Sequence, residues 1–218
     1  MPQVFSRSAN GISRFLLWGA LVLLVAGVAV AVALPRSALD NGIGMPVAQP
    51  VPFSHKHHVG QLGIDCRYCH NGVETSSSAG LPATEVCMTC HSQLFTNAAM
   101  LAPVRDSLAS GTPLHWQRVN SVPDFVYFNH AIHVNKGVAC ETCHGDVDDM
   151  PLTARAHSLT MGWCLSCHRD PEPNLRPPQD VFKMHWKPPE DIKQIRRSLI
   201  GILDIHPETM TDCYVCHR

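Results

Sequence analysis

Charged and aromatic side chains are scarce in this sequence, and the charge balance excludes one class of partner. Charged residues make up 16% of the 218 residues, aromatic residues make up 6%, and the formal net charge is −1. A chain without net positive charge has no basic field with which to attract nucleic acid. The 17 prolines also disfavour long regular elements over most of the chain.

One segment supplies much of the apolar content. Residues 15–34 read FLLWGALVLLVAGVAVAVAL, which is 20 residues without a charge. As a helix this segment would span roughly 30 Å, the thickness of a membrane's hydrocarbon core. A cleaved signal peptide with its site at AVA, 31–33, is the alternative, but signal cores usually run to about 7–15 residues. The sequence therefore predicts a transmembrane anchor at 15–34.

The flanks of this segment indicate its orientation. Arg7 and Arg14 precede it and favour a cytoplasmic N-terminus at 1–14, although Arg36 on the other side makes the bias modest. Residues 35–52, which are rich in proline and glycine, are predicted to be a linker. Residues 53–218 would then lie on the periplasmic, extracytoplasmic side of the inner membrane.

All ten cysteines fall in five pentads of the form Cys-x-x-Cys-His: CRYCH at 66–70, CMTCH at 87–91, CETCH at 140–144, CLSCH at 164–168 and CYVCH at 213–217. Disulfides need no adjacent histidine, and zinc sites combine a cysteine pair with distant ligands. Haem c requires this arrangement, because both thiols bond to the porphyrin and the next residue ligates the iron. The sequence therefore predicts five covalently bound haem c groups.

Each pentad supplies two thiols and one proximal iron ligand. The cofactor-binding cysteines are Cys66, Cys69, Cys87, Cys90, Cys140, Cys143, Cys164, Cys167, Cys213 and Cys216. The proximal histidines are His70, His91, His144, His168 and His217.

A repeat precedes the first and third pentads. FSHKHHVGQLGIDCRYCH begins at Phe53, and FNHAIHVNKGVACETCH begins at Phe128 with a spacer one residue shorter. Another pentad follows each copy. The pattern predicts two dihaem modules, at about 50–101 and 125–175, with a fifth haem at 213–217.

The histidine pairs in the repeat are candidate distal iron ligands. A low-spin electron-transfer haem needs a ligand on each face of its iron. In both copies two histidines lie three residues apart, so one helical turn would place them on the same side. These are His55 and His58 in the first copy, and His130 and His133 in the second. His57 is out of this register and is predicted to be solvated.

Five haems need five distal ligands, and the repeat supplies four. His185 is the favoured fifth ligand and Met161 is the alternative, which would raise the potential of its haem. Four further residues remain open as the fifth ligand: His115, His157, His206 and Met150. An iron left open on one face is the last alternative, and it would indicate catalysis.

The remainder of the chain favours short helices and irregular segments. Apolar residues at 192, 195, 199 and 202 share one helical face, which predicts an amphipathic helix within 191–205 that packs against haem. The expected fold class is mostly α and irregular with little sheet, built around stacked haems and preceded by one transmembrane helix.

The Phe-x-His-x-x-His repeat followed by a haem pentad resembles the class III, c3/c7-type multihaem cytochromes. The resemblance implies that the first histidine of each pair caps the haem of the pentad that follows it. His55 would then cap the haem on His70, and His130 the haem on His144. The second histidine of each pair would cap a haem elsewhere in the stack.

A longer stretch, 122–169, carries a more specific resemblance. It contains VPDFVYFNHAIHVNKGVACETCHGDV and SLTMGWCLSCHR. With five pentads and a single anchor, it resembles the pentahaem subunit of bacterial alternative complex III. The resemblance implies a menaquinol-oxidising membrane complex. Its other subunits would be an iron–sulfur protein, polytopic quinol-binding proteins and a monohaem cytochrome.

Three functions are compatible with the sequence. The first is an electron-transfer subunit that relays electrons from (mena)quinol oxidation in a respiratory complex to a periplasmic acceptor. The second is a self-sufficient, membrane-anchored quinol dehydrogenase that feeds a periplasmic reductase. The third is a multihaem reductase with an open haem. A single span with no evident quinone cavity favours the first, in which the chain itself has no catalytic residue.

Overall fold

Short helices joined by turns make up most of the protein. The computed structural model describes residue 6 and residues 8–217, so part of the predicted N-terminal tail at 1–14 lies outside the described residues. The described residues form no β-strand, and their extended contacts are isolated bridges. The predicted fold class, mostly α and irregular with little sheet, is confirmed.

The chain divides into two units, Met1–Gly42 and Ile43–Arg218. Helix α1, Ala9–Ala33, dominates the first unit, and its 25 residues begin six positions before the predicted anchor. Within the described chain it is the one helix long and apolar enough to cross a membrane, by length and composition. Pro35 lies in the 3-10 turn Leu34–Arg36 that follows. The short helix α2, Ala38–Asn41, then ends at Gly42.

The second unit contains the pentads, and each pentad lies in or at the end of a helical turn. The described helices of this unit are α3 (Cys66–Cys69), α4 (Thr84–His91), α5 (Ala102–Ser110), α6 (His130–Asn135), α7 (Cys140–His144), α8 (Met161–Arg169), α9 (Ile192–Ile202) and α10 (Cys213–Cys216). Helices α3, α4, α7, α8 and α10 contain the cysteine pairs. Because residues three apart lie on one face of a helix, each turn presents both thiols on the same side.

The second half of the predicted linker and the predicted amphipathic helix both belong to this unit. Ile43 pairs with Arg155 and Pro46 with Ala154, so the second half of the 35–52 segment belongs with the pentads. Helix α9 lies inside the predicted 191–205 segment and buries Leu199.

Few apolar side chains are buried by protein atoms. Within the described residues, the buried hydrophobic side chains are Val51, Val73, Val104, Val134, Ala139, Leu175, Val181 and Leu199. The pentad cysteines remain half-buried or exposed. A unit of this length normally buries a much larger fraction of its surface. A large apolar group bonded to the cysteines would supply the missing core.

The two copies of the repeat differ at one turn. Lys56–Gln61 forms a π-helical turn, whereas the same part of the second copy forms the α-helix His130–Asn135. A π turn closes on the fifth residue instead of the fourth, so it accommodates the extra residue of the first spacer. Both copies then reach a glycine at positive φ, Gly63 at 66° and Gly137 at 81°, which only glycine adopts without strain.

Candidate haem centres

Four pentad histidines face a histidine from outside the pentads. The pairs, with the distances between ring centroids, are His55–His70 at 6.4 Å, His130–His144 at 6.4 Å, His58–His91 at 6.2 Å and His133–His168 at 6.0 Å. Two imidazoles that ligate one ion from opposite sides hold their centroids roughly 6 Å apart. This follows because each metal–nitrogen bond is about 2 Å long and each nitrogen lies about 1 Å from its ring centre. The spacing therefore fits an iron between each pair.

The relative orientation of the rings separates these pairs into two kinds. The ring planes of His55 and His70 differ by 8°, and those of His130 and His144 differ by 7°. The planes in the other two pairs are inclined by 65° in the first copy and 36° in the second. The pairs formed within each repeat are thus nearly identical, whereas those reaching to the second and fourth pentads are not.

Hydrogen bonds at Nδ1 leave Nε2 of these histidine rings available to bind a metal. In seven histidines Nδ1 bonds to a backbone carbonyl oxygen: His58 to Ser54, His70 to Gly80, His91 to Leu94, His130 to Ser77, His133 to Asn129, His168 to Met210 and His217 to Phe125. A carbonyl can only accept, so Nδ1 carries the proton and Nε2 carries the lone pair of the neutral ring. Metal-ligating histidines are held in this way by a bond from the other ring nitrogen.

The remaining two rings have side-chain partners. Nδ1 of His55 lies 2.9 Å from Oγ1 of Thr153. Nδ1 of His144 lies 3.0 Å from Nδ2 of Asn120, whose buried Oδ1 has no partner among the described residues. A half-turn of this amide would let Oδ1 accept from Nδ1–H of His144. That arrangement satisfies the orphaned oxygen and leaves Nε2 of His144 free for iron.

Burial keeps several of these imidazoles neutral, which is the form that binds iron. Burial, and next the neighbouring His70 ring, lowers the pKa of His55 to about 4. Burial and then the His130 ring lower the pKa of His144 to about 4. Burial also lowers the pKa of His133. A neutral ring keeps the lone pair on Nε2 at any physiological pH.

A phenylalanine positions both histidines in each copy of the repeat. Phe53 meets His55 edge-on at 4.9 Å and stacks on His58 at 4.4 Å. Phe128 meets His130 edge-on at 4.7 Å and stacks on His133 at 4.5 Å. One aromatic ring thus fixes the directions of two candidate ligands in both copies.

Each copy of the repeat is also held by the loop that follows the other copy's pentad. The backbone N–H of Lys56 donates to the carbonyl of Met150. Reciprocally, the N–H groups of His130 and Ala131 donate to the carbonyls of Ser77 and Ser76. The candidate ligands of one copy are therefore held in part by the segment that follows the other copy.

The thiols of the five pentads form a series of neighbours, and the order of this series differs from the order of the pentads in the sequence. The neighbouring Cys140 thiol lowers the pKa of Cys66 to about 7, and the Cys66 thiol in turn raises the pKa of Cys140. Burial, and next the Cys87 thiol, raises the pKa of Cys69. The first pentad therefore neighbours both the second and the third.

The series continues toward the C-terminus. Burial, and next the thiols of Cys167 and Cys164, raises the pKa of Cys143 to about 12. Burial and then the Cys216 thiol raise the pKa of Cys164. The order of neighbouring pentads is therefore second, first, third, fourth and fifth.

The fifth pentad lacks an imidazole partner among the described residues. The ring of His217 stacks on Phe125 at 5.8 Å. Nε2 of His185, the favoured fifth ligand, lies 3.0 Å from Oδ2 of Asp148. Met161, the alternative, is 65% exposed and lies one helical turn before Cys164.

The remaining histidines lie in different environments. His57 is exposed and its Nδ1 bonds to the side chain of Gln61. His206 holds Asp204 with one ring nitrogen and Glu208 with the other, and these carboxylates raise its pKa. His157 stacks on Trp163, and His115 is exposed.

The arrangement of the cysteines and histidines does not favour a site that binds a metal ion without a porphyrin. The described residues contain no group of three or more His, Cys, Asp or Glu placed to hold a metal ion. A tetrahedral zinc site would bring four such ligands together. The thiol pairs and opposed imidazoles instead fit a group that bonds to two cysteines and takes one nitrogen from each side.

Sequence reasoning did not identify several residues that hold these rings. Asn120 and Thr153 lie outside every motif and gave no signal. The phenylalanine that begins each repeat was visible as part of the pattern, but its role in orienting two histidines was not. An ion pair between Glu141, inside the third pentad, and Arg176 was also not anticipated.

Comparison with known proteins agrees with this reading. Residues 51–105 match the family described as cytochrome c7 and related cytochrome c. The chain is also 35% identical over 163 residues to a protein of Nitratidesulfovibrio vulgaris named menaquinone reductase, multiheme cytochrome c subunit. The match covers 65% of this chain and 78% of the relative. The chain therefore belongs to the multihaem cytochromes c, which carry haem covalently on Cys-x-x-Cys-His pentads, and its residues 51–105 are similar to cytochrome c7.

Proposed function

We propose that this chain is the electron-transfer subunit of a quinol-oxidising membrane complex, with five haem c groups that pass electrons from (mena)quinol to a periplasmic acceptor. The observation that carries the proposal is the set of four opposed imidazole pairs. An iron with an imidazole on each face has no open position for a substrate, so it is suited to exchanging electrons.

The proposed ligand pairs follow the geometry. They are His55 with His70, His58 with His91, His130 with His144, and His133 with His168. Bound haem supplies the one-electron chemistry, while the chain orients the ligands and excludes water from them. Backbone carbonyls on Nδ1 fix six of these eight rings and make Nε2 a better donor, while the side chains of Thr153 and Asn120 contact Nδ1 of His55 and His144.

The fifth iron, on His217, requires a separate assignment. Met161 shares a helical face with Cys164, because the two are one turn apart, and Cys164 is a neighbour of Cys216. His185 instead engages Asp148 through the nitrogen that would bind iron. We therefore favour Met161 as the distal ligand of the fifth haem, and His185 as the alternative.

The neighbouring thiols indicate the direction along which the five sites are arranged. The second pentad, 87–91, lies at one end of the series and the fifth, 213–217, lies at the other. We propose that the electron donor and the electron acceptor contact the protein near these two ends. The electron donor would then bind near one end of the series of pentads, and the electron acceptor near the other end.

Membrane attachment is supported by α1. Its apolar side chains are exposed along its length in this chain, with Phe15 77% exposed and Leu23 74% exposed. Lipid would cover such a surface, and the arginines before it favour a cytoplasmic N-terminus. The pentads would then lie on the periplasmic side, where haem c is exposed to extracytoplasmic partners.

The relative favours a second candidate direction for electron flow. The name of that relative assigns its multihaem subunit to a menaquinone reductase, in which electrons enter the quinone. The same four ligand pairs would serve either direction. The potentials of the haems relative to the quinone therefore decide between menaquinol oxidation and menaquinone reduction.

The test begins with the full chain purified from native membranes in mild detergent. We expect polytopic and iron–sulfur subunits to co-purify, and intact mass to show five haems on the chain. Adding a soluble menaquinol should reduce the haems in the absence of an acceptor. If menaquinone instead oxidises haems reduced by the periplasmic donor and menaquinol reduces none, the second direction is correct.

Two other outcomes would favour the remaining alternatives. A chain that purifies alone and whose haems accept electrons from menaquinol would be a self-sufficient quinol dehydrogenase. A haem that is high-spin and binds carbon monoxide in the untreated protein would indicate a reductase with an open iron.

A further inference from the structure

The residue after the first cysteine of the first and third pentads carries a charge of opposite sign. Arg67 occupies this position in CRYCH and Glu141 occupies it in CETCH. The spacers of the other three pentads, Met-Thr, Leu-Ser and Tyr-Val, are uncharged. Because the first and third pentads end the two copies of the repeat, equivalent positions beside two equivalent haems differ in charge.

Glu141 is compensated by a partner from a distant segment. Its carboxylate pairs with the guanidinium of Arg176, 35 residues away, and the two side chains are 16% and 11% exposed. The other oxygen, Oε2, accepts the backbone N–H of His185 at 2.8 Å. The third pentad thus contains a carboxylate that is largely removed from water.

Arg176 is fixed from several directions. Its backbone N–H donates to the carbonyl of Gly137 in the second repeat, and its side chain donates to the carbonyl of Lys183. The guanidinium also lies 4.9 Å from the ring centroid of Trp186. These contacts hold the positive charge against Glu141 and leave it little freedom to move.

The charge in the first pentad is paired in a different way. Arg67 pairs with Asp65, which directly precedes Cys66, through two bonds of 2.9 Å. Both side chains are 47% exposed. Water and salt screen such a pair strongly, whereas a buried pair is screened much less.

A carboxylate beside a haem acts on its reduction potential. Negative charge stabilises the ferric iron, which is the more positively charged form, and so lowers the potential. The interaction grows as the surroundings become less polar, and burial and nearby charge are among the means by which a protein tunes haem. Glu141 without Arg176 would therefore lower the potential of the haem bonded to Cys140 and Cys143.

We propose that Arg176 sets the reduction potential of this haem by neutralising Glu141, and thereby maintains a buried charge balance that the equivalent haem on Cys66 and Cys69 does not need. The comparison of the two haems rests on the proposed imidazole pairs, which give both irons the same ligands in nearly the same geometry. With the ligands matched, the charges around the pentads become the difference between them.

The test compares three variants of the full, haem-loaded protein by redox titration followed in the visible and electron paramagnetic resonance spectra. Glu141→Gln keeps the size of the side chain and should raise the midpoint potential of one haem. Arg176→Gln should lower the potential of the same haem. The double variant should return close to the unmodified value, because the two charges are removed together.

Controls separate charge from structure. Arg176→Lys keeps the positive charge and should leave the potential closer to the original than Arg176→Gln does. Arg67→Gln and Asp65→Asn make the corresponding changes at the exposed pair and should produce smaller shifts. Glu190→Gln removes a carboxylate in an exposed residue outside every pentad and should shift none.

The outcomes distinguish this inference from the proposed function. If Glu141→Gln and Arg176→Gln leave every potential unchanged while the haems stay low-spin, Arg176 does not tune the haem, although the ligand pairs still stand. If Arg176→Gln fails to fold, an unshifted potential in Glu141→Gln alone is enough to overturn the inference. A haem on the third pentad that is high-spin in the unmodified protein would instead overturn the ligand assignment.

Discussion

The two copies of the repeat, 53–70 and 128–144, hold their histidine rings in the same arrangement although their backbone conformations differ. The first copy contains a π turn and the second an α-helix. Even so, His55–His70 and His130–His144 share a centroid distance of 6.4 Å, and their interplanar angles differ by only one degree, 8° against 7°. The positions of the rings are thus kept while the spacer adapts to its length.

The copies differ in the contacts that they make with the second and fourth pentads. The second histidine of each copy faces a pentad further along the chain, and these rings are inclined by 65° in one copy and 36° in the other. Helices α4 and α8, which carry the second and fourth pentads, differ in sequence outside the pentads themselves. Geometry is therefore maintained within residues 53–70 and 128–144 and diverges at the contacts with the second and fourth pentads.

The largest effect should come from removing a thiol in the middle of the series. We expect Cys140→Ala to lose or misplace one haem and to destabilise the whole second unit. The loss should exceed the roughly 3–5 kcal/mol caused by deleting a buried aromatic side chain, because a porphyrin is larger. Intact mass and thermal denaturation of the full chain measure both effects.

The fifth pentad provides the matched control. Cys213 is exposed and lies at one end of the series, so Cys213→Ala should cost one haem with a smaller loss of stability. Equal destabilisation by the two variants would show that the haem core is not centred on the repeat.

A spectroscopic change should follow removal of a second histidine from either copy. His133→Ala and His58→Ala should each convert one haem from low spin to high spin and allow it to bind carbon monoxide. The thioether bonds do not involve the sixth ligand, so the number of attached haems should stay the same. Visible and electron paramagnetic resonance spectra check the spin state.

His57→Ala is the control for both variants, because its exposed ring bonds to Gln61 and faces no pentad histidine in the described structure. It should leave every haem low-spin and inert to carbon monoxide. A high-spin signal from His57→Ala, with none from His58→Ala, would mean that the first copy uses a different histidine.

The smallest effect should come from making the two spacers equal. Deleting Gln61 removes the extra residue of the first copy, and the π turn should relax to an α turn like that of α6. We expect all haems to remain low-spin, with a stability change of about 1 kcal/mol or less. Loss of the low-spin signal of one haem would show that the π turn itself positions His55 or His58.

Local patterns made the haem chemistry and the repeat predictable. A pentad contains everything needed to attach one haem, and two histidines three residues apart are visible without knowing the fold. The apolar run gave α1 for the same reason. Its start at Ala9 was not visible, because Asn10 and Arg14 are polar but compatible with a helix.

Long-range contacts were not predictable, because no local signal specifies them. Nothing near Asn120 indicates that it lies against His144, and nothing near Arg176 indicates Glu141 as its partner. The one-residue difference between the spacers was visible in the sequence. That a π turn would absorb it depends on both ends being fixed, by the histidine rings on one side and the pentad on the other.

The most direct measurement is a high-resolution structure of the haem-loaded full chain in which the density around each iron is resolved. We predict irons between His55 and His70, His58 and His91, His130 and His144, and His133 and His168, each bonded through Nε2. An iron on any of these four pentads that lacks a second ligand, or takes it from a residue other than the one paired here, would contradict the assignment.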